Sequence, residues 1–504
     1  MNDEFDVEEV APWFAVVITL VGGGLRVLLL ANKGMWLDET FSVWMASQSV
    51  GDMLQWVAKI DQHPPLYYLL LHFWIALNDD SAYHVRLLSV LFSTATIPLI
   101  YLIGKRLAGA PLGLAAAVIL AFSPFHIFYA QETRMYTLLA FNAAVAIYAL
   151  VRLLTGSRTR WEWVAFVVFS AATLYTHNTA VFLPLAVNVF VLGLMLFQRI
   201  KKTGDPLSLQ APPFWKWTKA QIAVLVLWIP WIVVFVQQAR VVDQRFWIPE
   251  PTWESVVRTL GLFLNTSTTY LKGSQALVVW GIYLLLLGLG VVYFRRKMSL
   301  FLLLAILFAV PFLGELIVSL RRPIFSDRTL IWVTIPLFLV LAAGIAQLRF
   351  RFAMIAAVGV VGTLGLFSAA DYYRFFPKED WNTPAGYVAL YAEKDDLVLF
   401  NSNFVEIAFD YYFRTFEDKY DLQVQKEGIP ADLIDDAVLE PLMTEDDIPK
   451  LLSLIHGRDR VWLVYSHESY TDPEGLVPKT IGAEMKLIDQ SDFYGGKVQL
   501  YGVD

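Results

Sequence analysis

The chain has 504 residues, is 57% hydrophobic and 17% charged, carries a net charge of −7 and contains no cysteine. Soluble domains run at about 45–50% apolar and about 25% charged, so the composition predicts a polytopic membrane protein. Without cysteine, disulfides, thiol catalysis and Cys-ligated metals are excluded.

The charge is unevenly spread. Residues 371–504 hold 12 Lys and Arg against 27 Asp and Glu, a net of −15, while residues 1–370 hold 27 against 19, a net of +8. The expected fold is an α-helical polytopic membrane domain (1–370, about eleven spans) followed by a soluble α/β domain (371–504). The chain opens on "MNDEFDVEEVAP", which is acidic. A cleavable leader opens on basic residues, so the first span, 12–31, is expected to stay as an anchor.

"NKGMWLDETFS" (32–42) follows that span and sets Asp38 beside Glu39 between apolar and aromatic flanks. A solvated loop start is the plain reading. The flanks argue for cover, and desolvated adjacent carboxylates raise each other's pKa, which suits a general base. Next comes "KIDQHPPLYYLLLHFW", with Asp61, His63 and Tyr67. The apolar run 64–78 is short for a span. It is read as an interfacial helix starting at Pro64 and Pro65, within the first outer loop, 32–84. Asp61 and His63 suit orienting a hydroxyl or holding a cation; an ordinary loop histidine weighs equally.

The next spans are expected at 85–104, 109–123, 135–153, 161–176 and 178–197. Arg86, at the outer end of the first of these, either snorkels to lipid phosphate or binds an anionic head group. "SPFHIFYAQETRMY" (123–136) is read as an outer turn that gathers Gln131, Glu132, Arg134 and Tyr136. Glu132 with an arginine makes a structural brace, whereas an arginine alone clamps a phosphate bidentately. "YTHN" adds His177 at the following outer turn. The last spans are placed at 219–237, 275–294, 298–320, 328–347 and 353–370. "LRRPIFSDR" puts Arg321, Arg322 and Arg328 at an outer end.

Orientation follows the loops. "GKRL", "VRLLTGSRTR", "RIKK", "FRRK" and "LRFRF" are short, basic and almost free of acid, and they alternate along the eleven-span order. That places them in the cytoplasm. The loops at 32–84, 124–134, 176–178, 238–274 and 321–328, and the acidic domain, then lie outside. Arginines there run against the usual bias, and phosphate recognition is one explanation for them. In the acidic domain, "DDLVLFNS" and "RVWLVYSHES" read as buried strands, and "NTPAGYVALYAEK" and "FVEIAFDYYFR" as helices. "PADLIDDAVLEPLMTEDDIPK" reads as loop or helix. No Gly-rich phosphate loop precedes a helix, so a nucleotide site is not expected; a nucleic-acid partner is not expected either.

Carboxylates that deprotonate a hydroxyl, arginines that hold a phosphate and aromatics that pack on a sugar or lipid describe transfer of a group from a membrane-held phosphate ester. The motif order "WLDETFS", "DQHPPLYYLLLHFW", "VRLLSVLFSTATIPLIYLIGKRL", "SPFHIFYAQETRMYTLL" and "LYTH" resembles the bacterial dolichyl-phosphate-mannose-protein mannosyltransferase-like family. These proteins are relatives of the lipid A aminoarabinose transferases, with the C-type glycosyltransferase fold. "SDRTLIWVTIPLFLVLAAGI" is a weaker match.

The resemblance implies a polyprenyl-phosphate sugar donor and a lipid, glycan or protein acceptor. Transfer would be inverting and on the outer face of the cell membrane. Asp38 matches the family's catalytic aspartate and Glu39 its acidic neighbour. Arg86 and Arg134 match arginines near the site; giving the donor phosphate also to Arg321, Arg322 and Arg328 is an inference from their place. Asp61, His63, Tyr67, Gln131, Glu132, Tyr136 and His177 are expected to bind substrate or support the site. No cofactor is required by this reading, and a divalent metal is left open. The alternatives are a polysaccharide ligase or polymerase on a related fold, and a lipid or sugar transporter.

Overall fold

The computed structural model describes residues 7–61, 63–200, 209–241, 250–265, 273–432 and 441–503. The expected outer loop at 238–274, the basic loop "RIKK" and the stretch "PADLIDDAVLEPLM" run partly outside these residues. The chain divides into two compact units. One comprises Met1–Leu30, Gln62–Leu70 and Val85–Phe376; the other comprises Ala31–Asp61, Leu71–His84 and Pro377–Asp504. The loop 32–84 therefore contributes to both.

The first unit is helical. Among the described residues, eight helices are long and apolar enough to cross a membrane, or nine if one bent pair counts as a span. This corrects the expectation of about eleven. The run expected at 161–176 forms Arg160–Leu174, only 15 residues long, and that at 328–347 forms Thr334–Ala346, with 13. Nearly every side chain of Thr334–Ala346 is buried within the protein. Its apolar composition comes from protein packing, which hydropathy does not distinguish from lipid. Its neighbour is Ser274–Phe294, approached so closely that a Cβ at Gly344 or Gly290 would collide with a backbone carbonyl, of Leu286 or Val340 respectively. Small residues allow such contact between membrane helices.

The bent pair is Ala110–Ala121 and Pro124–Ala130, which meet at 57°. The stretch 123–136, expected as an outer turn, thus begins as helix. Ser123 caps its start by accepting from the His126 amide, and Pro124 follows at the first turn. Proline tolerates that position because its missing N–H would have had no partner there.

The second unit holds a five-stranded sheet: β1 (Leu397–Phe400), β2 (Gln425–Gly428), β3 (Arg460–Ser466), β4 (Lys486–Phe493) and β5 (Gly496–Gly502), in the order β2-β1-β3-β5-β4. β1 is parallel to β2 and β3, while β5 is antiparallel to β3 and β4. Every residue of β1 is buried, which explains its unbroken apolar run. On one face Val398, Phe400, Trp462 and Val464 pack with Trp381, Val388, Phe409 and Phe413; on the other, Leu399, Val461 and Leu463 pack with Leu451, Ile455 and Ile481. Leu37 belongs to the first of these cores.

Candidate active site

In the sheet unit, "WLDETFS" forms the start of the helix Leu37–Ser47, with Asp38 and Glu39 in its first turn. The positive end of the helix dipole favours carboxylates there. Trp36 occupies the N-cap position and makes no side-chain cap. The capping acceptor comes from elsewhere in the sequence: the Leu37 amide donates to Glu379 Oε2 at 3.1 Å. Just before it, the Met35 amide donates to the Tyr412 hydroxyl at 2.6 Å.

The two carboxylates differ. Glu39 is fully buried, and its Oε2 lies 3.0 Å from Nζ of Lys378, which is also buried. Asp38 is half-buried. Asp61, also in this unit, is buried. Phe41 packs on Phe404 with ring centroids 5.0 Å apart. Leu71–His84 is tied within the same unit by the Arg414–Asp80 ion pair at 2.7 Å and the His72–Ala46 hydrogen bond at 2.7 Å.

A cavity of about 730 Å³ opens between this helix and Val405–Tyr420. Thr40, Trp44 and Ser47 line one side, and Glu406, Asp410, Tyr411 and Arg414 the other. Lys426 bridges Asp410 and Glu417 at 2.9 and 3.1 Å. Burial, helped by the charge of Asp410, pushes the Glu406 carboxyl up to about 7.

In the helical unit, a second cluster forms around Tyr129, Tyr136 and His177. Tyr129 donates to Asp327 at 3.0 Å. Arg328 lies over the Tyr136 ring, 5.7 Å from its centroid, as a cation–π pair. The rings of His63 and His177 meet edge to face at 5.2 Å. The charges of Arg328 and Arg134 bear on His177, and that of Glu132 on Tyr129. His63, Glu132, Arg134, Tyr136, His177 and Arg328 are thus brought together from four stretches of sequence.

The loop that carries Arg328 is held from below. Glu315, buried at the end of Met298–Ser319, accepts from Thr329 at 2.8 Å and also from Ser326 and Thr179. Ser319 Oγ accepts from the amides of Ile324 and Phe325 at 2.9 and 2.8 Å.

Other expected site residues lie apart from this cluster's ring contacts. Arg86 is buried and donates to the Leu30 carbonyl at 2.9 Å. Gln131 donates to the carbonyls of Arg26 and Leu28 and accepts from Tyr372. Tyr67 bonds Ser89 at 3.1 Å. Arg322 donates to the Ala239 carbonyl, and Arg321 is exposed. Among the described residues, no group of three or more His, Asp or Glu side chains is placed to hold a metal ion.

Sequence reasoning missed Glu315, Lys378, Glu379 and Tyr412. A lone acid within an apolar span is a signal that points to Glu315. Nothing local marks the other three.

Residues 62–234 match a protein-family model described as dolichyl-phosphate-mannose-protein mannosyltransferase. That is the family whose resemblance the motifs carry. The fold is similar to that of ArnT from Cupriavidus metallidurans in the apo state, at 12% identity and a TM-score of 0.63, covering 97% of this chain and 98% of that one. ArnT from the same organism bound to undecaprenyl phosphate matches at 12% identity and 0.61, covering 96% and 97%. The apo oligosaccharyltransferase of Archaeoglobus fulgidus matches at 10% identity and 0.54, covering 92% of this chain and 70% of that one. At these identities the likeness is one of fold. No sequence among the characterised proteins matches significantly.

Proposed function

We propose that this chain, a multi-pass membrane protein carrying the dolichyl-phosphate-mannose-protein mannosyltransferase segment on a fold shared with ArnT, is a membrane glycosyltransferase that draws its sugar from a polyprenyl phosphate. Asp38 is the general base. It takes the proton of an acceptor hydroxyl as the oxygen attacks the anomeric carbon. The bond from that carbon to the phosphate oxygen breaks on the opposite face, and the lipid phosphate leaves as an anion. Configuration inverts.

The observation that carries this reading is the division of labour inside "WLDETFS". Glu39 is buried and charge-paired with Lys378, while Asp38 is half-buried beside it on a capped helix start. A base must be held in place and remain reachable, and Asp38 meets both conditions. In the helical unit, Arg134 and Arg328 are the arginines assigned to the donor phosphate, because they share the cluster of Tyr136 and His177. Fixed cations at a leaving phosphate stabilise its developing charge. The acceptor is a lipid, glycan or protein hydroxyl outside the cytoplasm, on the side opposite the basic loops.

The test is mass spectrometry of envelope glycolipids, glycans and glycoproteins from cells with and without the gene. The reading expects a glycosyl increment that disappears with the gene, together with free polyprenyl phosphate as co-product in membranes containing the protein. Identical envelopes in the two strains would contradict it.

A further inference from the structure

The helix that carries the carboxylate pair begins at Leu37, yet its N-cap residue, Trp36, offers no side-chain acceptor. The first amides of a helix need a partner from outside it. Glu379 supplies one through Oε2, which also accepts from Trp381 Nε1 at 3.0 Å. Its other oxygen lies 3.7 Å from His467 Nε2, just beyond β3. Lys378, one residue earlier, reaches Glu39.

The dipeptide Lys378–Glu379 is itself anchored. The Asp380 amide donates to the Tyr494 carbonyl at the β4–β5 turn at 2.9 Å, and Trp381 is fully buried in the sheet core. Gly34 fits here because a side chain would press on the Glu379 carbonyl 3.2 Å away. The place of Asp38 is therefore set by residues more than three hundred positions downstream.

Resting on the glycosyltransferase reading, we infer that Lys378 and Glu379 are positioning residues for the proposed base: Lys378 fixes the first turn of its helix through Glu39, and Glu379 caps that turn. The soluble domain is then part of the catalytic apparatus through this dipeptide. Neither residue exchanges a proton with substrate. Each acts by holding Asp38 in one geometry, and a small misplacement of a base lowers turnover steeply.

The test uses the full-length protein in the deletion strain, with the wild-type-dependent envelope product measured per folded protein. Glu379→Ala is expected to lower product at least tenfold, and Glu379→Gln, which keeps an acceptor oxygen, to retain most of it. Lys378→Arg is expected to retain product. The double variant Lys378→Met/Glu39→Gln, which removes both charges of the pair, is expected to fold and still lose product at least tenfold. Hydrogen exchange separates positioning from unfolding. In Glu379→Ala the amides of residues 37–41 should exchange about tenfold faster, while the β1–β3 ladder keeps wild-type protection.

Wild-type product from both Glu379→Ala and the double variant, with none from Asp38→Asn, overturns this inference and leaves the glycosyltransferase reading standing. Equal loss of protection along the ladder overturns it too. Wild-type product from Asp38→Asn overturns the reading beneath it.

Discussion

Two buried glutamates, one in each unit, are satisfied in different ways. Glu39 in the sheet unit has a cation, Lys378, at 3.0 Å. Glu315 in the helical unit is held by Thr329, Ser326 and Thr179, and among the described residues no cation pairs with it. The first arrangement couples two distant stretches through opposite charges. The second ties a short loop to the helix beneath it through ordinary hydrogen bonds. A residue's burial therefore does not reveal its use; its partners do.

The same substitution separates the two sites. Glu39→Gln removes the carboxylate of a buried ion pair and should cost about 3–5 kcal/mol in the sheet unit, as should Lys378→Met from the other side. Thermal unfolding of the purified protein in detergent checks this, and the double variant should recover most of the loss. Were each single variant as stable as the parent, the pair would not be a buried ion pair.

A third carboxyl, Glu406, gives a smaller effect of opposite sign. It titrates at about 7 in the fold against an ordinary value of 4.5, because burial disfavours its charge. Between these values the folded chain keeps a proton that the unfolded chain has lost. Stability therefore falls as pH rises through this window, and the penalty is complete above about 7. Glu406→Gln should gain roughly 1–3 kcal/mol at pH 8 and nothing at pH 4. A gain that is the same at both pH values would contradict this account.

Glu315→Gln is the mildest change. The amide keeps an oxygen to accept from the Thr329 hydroxyl, so a loss under about 1 kcal/mol is expected. Glu315→Leu removes the acceptor and should cost about 1–3 kcal/mol by the same reasoning, while loosening the loop that carries Arg328. Titration of undecaprenyl phosphate onto the detergent-solubilised protein reads that second effect. Weaker binding in Glu315→Leu than in Glu315→Gln is the expected result.

How much of this was legible depended on whether the signal was local. β1 and β3 stood out because a strand covered on both faces is continuously apolar. β2, "QKEG", and the mostly exposed β4, "KLIDQSDF", are edge strands without that signature, and the sequence reading passed over them. The span counts diverge at Arg160–Leu174 and Thr334–Ala346, apolar helices of 15 and 13 residues that are shorter than a full crossing. Asp38 and Glu39 were marked by their own flanks. Lys378, 339 positions from Glu39, carried no local mark, since only the fold brings the two together. Arg86 and Arg328 looked alike in sequence. The fold sets one against a main-chain carbonyl and the other over an aromatic ring.

The central claim is that Asp38 is the base of a glycosyl transfer. The most direct measurement is the envelope product formed by Asp38→Asn in the deletion strain, at matched amounts of folded protein. Removing a general base should lower turnover about 10²–10⁴-fold, while undecaprenyl phosphate still binds the purified variant. Wild-type amounts of product from Asp38→Asn would contradict the account.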